Sequence, residues 1–108
     1  VGFLCSMLQK NNVFVVASLI SPYAESREFI RSLCPRFIEV YVKASLEECE
    51  KRDVKGLYQK ARRGDVKNFT GIDDPYEEPQ SPEIVVETDK QTEDESFEII
   101  KTYIDRHL

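Results

Sequence analysis

Cations, an aromatic ring and glycines crowd into two neighbouring runs, Glu50-Lys51-Arg52-Asp53-Val54-Lys55-Gly56-Leu57-Tyr58 and Lys67-Asn68-Phe69-Thr70-Gly71-Ile72-Asp73. Between them, Gln59 to Val66 reads as a short basic helical segment ending in Arg62-Arg63-Gly64. A long, polar, glycine-punctuated connection inside a small domain is more often a lid or binding loop than a plain link. Lysine and arginine suit phosphate or sulfate, and the face of Phe69 suits a base. A solvated helical hairpin is the competing reading, because charge runs commonly do no more than face water.

Individual residues carry the same two-sided reading. Arg52 and Lys55 bracket Asp53. They are either cations favoured by a helix C-terminus or a clamp on a nucleotide, with Gly56 following. Phe69, between Asn68 and Thr70-Gly71, either tucks back into the core or offers a stacking platform. Ile20-Ser21-Pro22-Tyr23 places a hydroxyl where a strand hands over to a helix. Serine there is an ordinary N-cap, and the same geometry also binds anions. Arg27 and Arg31, one and two turns on, read as surface charges or as anion ligands.

Other chemistries lack their parts. His107 is the single histidine and lies one residue from the end, so no histidine base or histidine metal cluster is available and no metal-ligand set is expected. Cys5, Cys34 and Cys49 are odd in number, widely spaced and without a CxxC pair. They read as reduced thiols of a cytoplasmic protein. No G-x-x-x-x-G-K-[ST] phosphate loop occurs in these residues. A net charge of −5 argues against coating nucleic acid, while the locally clustered cations leave a small anionic substrate open. The longest apolar run, Val13 to Ile20, is too short to span a bilayer, and Val1-Gly2-Phe3-Leu4 lacks a basic leader.

The elements that would position these residues follow from periodicity. At 108 residues the chain is one domain or part of one. Phe3, Leu4, Met7 and Leu8 have the spacing of a core-packing helix, stopped by Asn11-Asn12. Because the chain begins inside that pattern and without methionine, a missing N-terminal part is expected. Val13–Ile20 predicts a strand covered on both faces. Ser21-Pro22 opens a helix through Phe29, Ile30 and Leu33, ended by Pro35. Phe37 to Val42 predicts a second strand, and Ser45-Leu46-Glu47-Glu48 a capping box for a helix running into Arg52. Pro75, Pro79 and Pro82 exclude regular helix in the acidic stretch that completes a lid over about 53–80. Glu83 to Thr88 predicts a third strand. Thr92 to Glu95 is another capping box, opening a helix with a stripe of Phe97, Ile100 and Ile104. The order is that of an α/β protein, whose ligands bind at strand carboxyl ends, here Ser21, Ala44-Ser45 and Thr88-Asp89.

Ile20-Ser21-Pro22-Tyr23 with Arg27 and Arg31, Phe37 to Val42, the run from Cys49 through RDVKGLY to Arg62, and Phe69-Thr70-Gly71-Ile72-Asp73 together resemble adenylylsulfate kinase (APS kinase). The similarity runs in register from about Leu8 to the C-terminus, with a short deletion before Phe37. The resemblance implies an α/β fold: a P-loop kinase-like parallel sheet flanked by helices, with its N-terminal part absent, so that residues 1–108 are a partial kinase domain. It implies transfer of the ATP γ-phosphate to the 3′-hydroxyl of adenosine 5′-phosphosulfate (APS), giving the sulfate donor PAPS in sulfate assimilation. Magnesium enters with the ATP. Homodimers, and fusion to or association with an ATP sulfurylase, belong to the same implication; a nucleic-acid or membrane partner does not.

By this resemblance Ile20 and Ser21 lie at the APS site, and Ser21 matches a serine that some members phosphorylate. Arg52 corresponds to the arginine packed on the ATP adenine, Lys55 to the lid lysine reaching substrate anions, and Phe69 to an aromatic on the APS adenine. The backbone at Asn68 adjoins that base. The family commonly has glycine there, and asparagine tolerates unusual backbone angles better than most residues. Gln91 falls where the family closes over the ATP base. The family's phosphate loop, its acidic base or magnesium partner, and further APS ligands precede the helix at which the sequence starts, so these residues alone should not catalyse transfer. A catalytically silent regulatory domain that binds PAPS or APS, as in some fungal ATP sulfurylases, is the alternative. Retention of Ser21, Arg52, Lys55 and Phe69 favours the active kinase.

Overall fold

Local start and stop signals decide most elements of the computed structural model, which describes residues 1–108. In chain order they are α1 Gly2–Lys10, α2 Ala24–Leu33, β1 Val40–Lys43, α3 Leu46–Arg52, α4 Leu57–Arg62, β2 Ile84–Glu87 and α5 Glu93–His107. Contacts divide the chain into two units, Val1–Phe37 with Tyr76–Glu78, and Ile38–Pro75 with Pro79–Leu108. No helix is long and apolar enough to cross a membrane.

The second unit holds the sheet. β1 and β2 pair in parallel, Val40 opposite Ile84 through Lys43 opposite Glu87. A parallel pair needs a long crossover, and α3, α4 and the loops after them supply it. Alternation along β2 buries Ile84 and Val86 and leaves Val85 exposed, as a period of two requires. α5 packs on β2. Its capping box forms as expected: the Thr92 hydroxyl accepts from the Glu95 N–H at 3.1 Å, and the Glu95 carboxylate accepts from the Thr92 N–H at 3.2 Å. At Ser45 the hydroxyl accepts from the Glu48 N–H at 3.1 Å, while the Glu48 carboxylate turns to Arg52 Nε at 3.1 Å. The expected stripe on α5 is corrected at Phe97, which is 59% exposed; Ile100 and Ile104 are half-buried.

In the first unit α1 stops at Asn11–Asn12 as expected, with Asn12 at φ 61°. Its packed face is not the apolar one. Phe3, Leu4 and Met7 are exposed, whereas Gly2 and Ser6 are buried. α1 meets α2 at Gly2, where an added Cβ would lie 2.7 Å from Ile30 Cγ1. Close approach between helices selects the small residues, and this overrides the spacing of the large ones.

Val13–Ile20 is not a strand. The sheet consists of β1 and β2, so nothing takes up a ladder along this run, and Val16 is 82% exposed. A β conformation holds when a neighbour satisfies its N–H and C=O groups, which apolar side chains cannot do for it.

Candidate substrate site

Asp53 organises the turn between α3 and α4. It closes α3 at φ 23°, its N–H donating to the Cys49 carbonyl at 3.0 Å. Its carboxylate then accepts from the N–H groups of Tyr58 and Gln59 at 3.0 and 3.1 Å, satisfying two of the free donors that open α4. Gly56 takes φ 66° between them with open space around it, so the backbone angle and not crowding requires glycine. Lys55 is carried on this turn and is exposed. Arg62 on α4 reaches back to Glu50 on α3 at 2.5 Å.

Arg52, at the end of α3, is tied to the carboxyl end of β2. Nη1 donates to Thr88 Oγ1 at 3.2 Å and Nη2 to the Thr88 carbonyl at 2.9 Å, while Nε donates to Glu48. A guanidinium carries its N–H donors in its plane, so bonds of this kind are made at its edge and not through its faces. Gln91 lies at the same strand end, its Oε1 accepting from the Glu87 N–H at 3.0 Å and from the Ser96 hydroxyl at 3.3 Å. Arg52 and Gln91 thus converge on β2's carboxyl end, where α/β sheets take their ligands.

The second run folds into a tightly bonded loop. Asn68 adopts φ 55°, a conformation that asparagine tolerates better than most residues, and its N–H donates to Asp73 Oδ2 at 2.7 Å. The Phe69 N–H donates to Asp73 Oδ1. The Phe69 carbonyl accepts from Ile72, Asp73 and Asp74 N–H groups, each at 3.1 Å. Gly71 at φ 90° completes the turn, its N–H donating to the Asp74 carbonyl at 2.7 Å. The Phe69 ring is half-buried and meets Tyr58 edge to face, centroids 4.8 Å apart. Burial, followed by Cys49, Asp53 and Glu50, holds the Tyr58 phenol above its ordinary pKa.

Ile20 and Ser21 belong to the first unit, and the other five candidates to the second. Ile20 is 69% exposed. Ser21 is not the N-cap of α2: Tyr23 holds that place, and the Ala24 N–H donates to Glu77 Oε1 at 2.8 Å. A carboxylate more than fifty residues onward has taken over the capping. Ser21 sits at φ 41° with its carbonyl accepting from Arg27 Nη1 at 2.6 Å, while Arg27 Nη2 donates to the Glu77 carbonyl at 2.6 Å. Arg27 is 8% exposed, so it is a structural clamp and not a surface charge. Arg31 lies over the Phe37 ring, 4.8 Å from its centroid.

Sequence reasoning missed Asp73, Tyr58, Thr88 and Glu77 as partners. Asp73 accepts from N–H groups that precede it in the chain, so the usual aspartate turn pattern, in which the side chain bonds backbone ahead of it, does not flag it. The other contacts join residues with no local signal.

A family model described as adenylylsulphate kinase matches residues 1–87. The chain belongs to the adenylylsulphate kinase family. It is 54% identical over 98 residues to the adenylyl-sulfate kinase of Picosynechococcus sp. (strain PCC 7002), covering 91% of this chain and 55% of that protein. With the adenylyl-sulfate kinase of Gloeothece citriformis it shares 51% identity over 106 residues, covering 98% of this chain and 60% of that one. The structure of the Mycobacterium tuberculosis APS kinase in complex with AMPPNP and APS superposes with a TM-score of 0.85 at 34% identity, covering 96% of this chain and 62% of that one. Fold class and family therefore agree with the sequence resemblance: a parallel sheet flanked by helices, corresponding to part of an APS kinase. The chain spans little more than half the length of these curated relatives.

Proposed function

We propose that this chain is the lid-bearing, C-terminal portion (lid about residues 53–80) of an active adenylylsulfate kinase, which transfers the ATP γ-phosphate to the 3′-hydroxyl of APS and yields PAPS. The observation that carries the proposal is the Tyr58–Phe69 ring contact, which joins the two runs most specific to the family through one edge-to-face aromatic pair. In this reading Phe69 stacks on the APS adenine, with the Asn68 backbone beside it. Lys55 supplies an exposed point charge to substrate anions, and Ile20 and Ser21 line the APS site. Arg52 offers a guanidinium face to the ATP adenine while Thr88 and Glu48 hold its edge; Gln91 closes over the same base. Ser21 is a candidate phosphate acceptor in addition.

Magnesium is read as arriving with ATP, as the family resemblance implies, and no step is assigned to it through these residues. The phosphate-cradling loop, in this reading, belongs to the length of the relatives that the chain does not span. A cytoplasmic homodimer, alone or joined to an ATP sulfurylase, completes the proposal.

The test is product formation by the full-length protein supplied with ATP, magnesium and APS. PAPS appearing in step with ADP supports the kinase. PAPS or APS binding without turnover would instead favour the silent regulatory domain.

A further inference from the structure

The Asp73 carboxylate spends both oxygens on consecutive backbone donors, the N–H groups of Asn68 and Phe69. Asn68 is in the left-handed region at φ 55°, which turns successive N–H groups toward one point and makes a small anion-binding concavity. Here that concavity is filled from within the chain. The Phe69 carbonyl is fixed separately by the N–H groups of residues 72 to 74, and its ring is buttressed by Tyr58. Phe69 is thus held at its N–H, its carbonyl and its ring. Of these holds, only Asp73's carboxylate can be removed by a side-chain change without altering an aromatic surface. We propose that Asp73 is a positioning residue for APS: it sets the backbone at 68–69 and thereby the angle at which Phe69 presents its face to the base.

This inference rests on the kinase reading above. A loop loosened at this point would lose preorganisation for APS, not chemistry and not ATP binding. Kinetics of the full-length protein test it, using Asp73→Ala and Asp73→Asn, each also combined with Phe69→Ala. Asp73→Ala should raise the apparent KM for APS about tenfold, toward the low end of what a lost base stack costs, with the KM for ATP unchanged. Asp73→Asn, retaining one acceptor oxygen, should fall between wild type and Asp73→Ala. In the Phe69→Ala background either change should add little, because the group it positions is gone.

An APS KM within twofold of wild type for Asp73→Ala would overturn the proposal, as would a full additive loss in the Phe69→Ala background. A parallel rise in both substrates' KM together with a fall in Tm would mean general damage to the fold and would overturn it as well. Failure of the wild-type protein to make PAPS would defeat the underlying kinase reading instead, and is seen before any variant is compared.

Discussion

Arg27 and Glu77 are bound to each other's chain segments in both directions. Arg27 Nη2 donates to the Glu77 carbonyl at 2.6 Å, and the Glu77 carboxylate accepts from the Ala24 N–H three residues before Arg27, at 2.8 Å. Because Arg27 also holds the Ser21 carbonyl, one buried guanidinium ties the backbone of Ser21 to that of Glu77, far along the chain.

Removing that guanidinium leaves two carbonyls without their donor. Arg27→Ala in the full-length protein should lower stability by about 1.5–3 kcal/mol, the range for hydrogen bonds to a charged group. Arg27→Lys should recover only part, since an ammonium cannot reproduce the two-pronged fork. Denaturant unfolding measures both, and a loss for Arg27→Ala no larger than about 0.5 kcal/mol, as at an ordinary surface site, would contradict the clamp.

Lys55 is the opposite case. It is exposed on a turn whose bonds come from Asp53, so the fold does not need its charge. Lys55→Ala should weaken use of APS while leaving Tm unchanged. Melting curves and APS saturation measured on the same preparation would show it; matching losses of Tm and activity would assign Lys55 to the fold instead.

The Tyr58 phenol gives a pH signature. Its folded pKa lies above the ordinary 10.0, chiefly through burial. The folded state therefore holds the phenolic proton more tightly than the unfolded chain does. Its contribution is fully present below pH 10 and is lost as pH rises through the higher folded value. Tyr58→Phe should flatten the decline of stability in that alkaline window. Identical alkaline limbs for the two proteins would refute the assignment.

Elements with local signals were legible in the sequence. Ser45 and Thr92 start α3 and α5, Asn11–Asn12 stops α1, and Asn68 is of a type that tolerates the positive φ it takes. What escaped depends on distant partners. The start of α2 is set by Glu77, the burial of Arg27 by the carbonyls of Ser21 and Glu77, and the packed face of α1 by the approach of Ile30 to Gly2. Val13–Ile20 has a strand's composition but no pairing neighbour here. At the candidate site the residue types were readable, whereas the supports under them were not. Thr88 beneath Arg52, Tyr58 against Phe69 and Asp73 behind the 68–69 backbone arise from the fold.

The most direct measurement is the APS dependence of the full-length protein with and without the Phe69 ring. Phe69→Ala should raise the APS requirement by roughly 1–3 kcal/mol of lost stacking, about 5- to 150-fold in KM, with ATP dependence little changed. An APS dependence equal to wild type would make Phe69 a core side chain and remove the base platform on which the account rests.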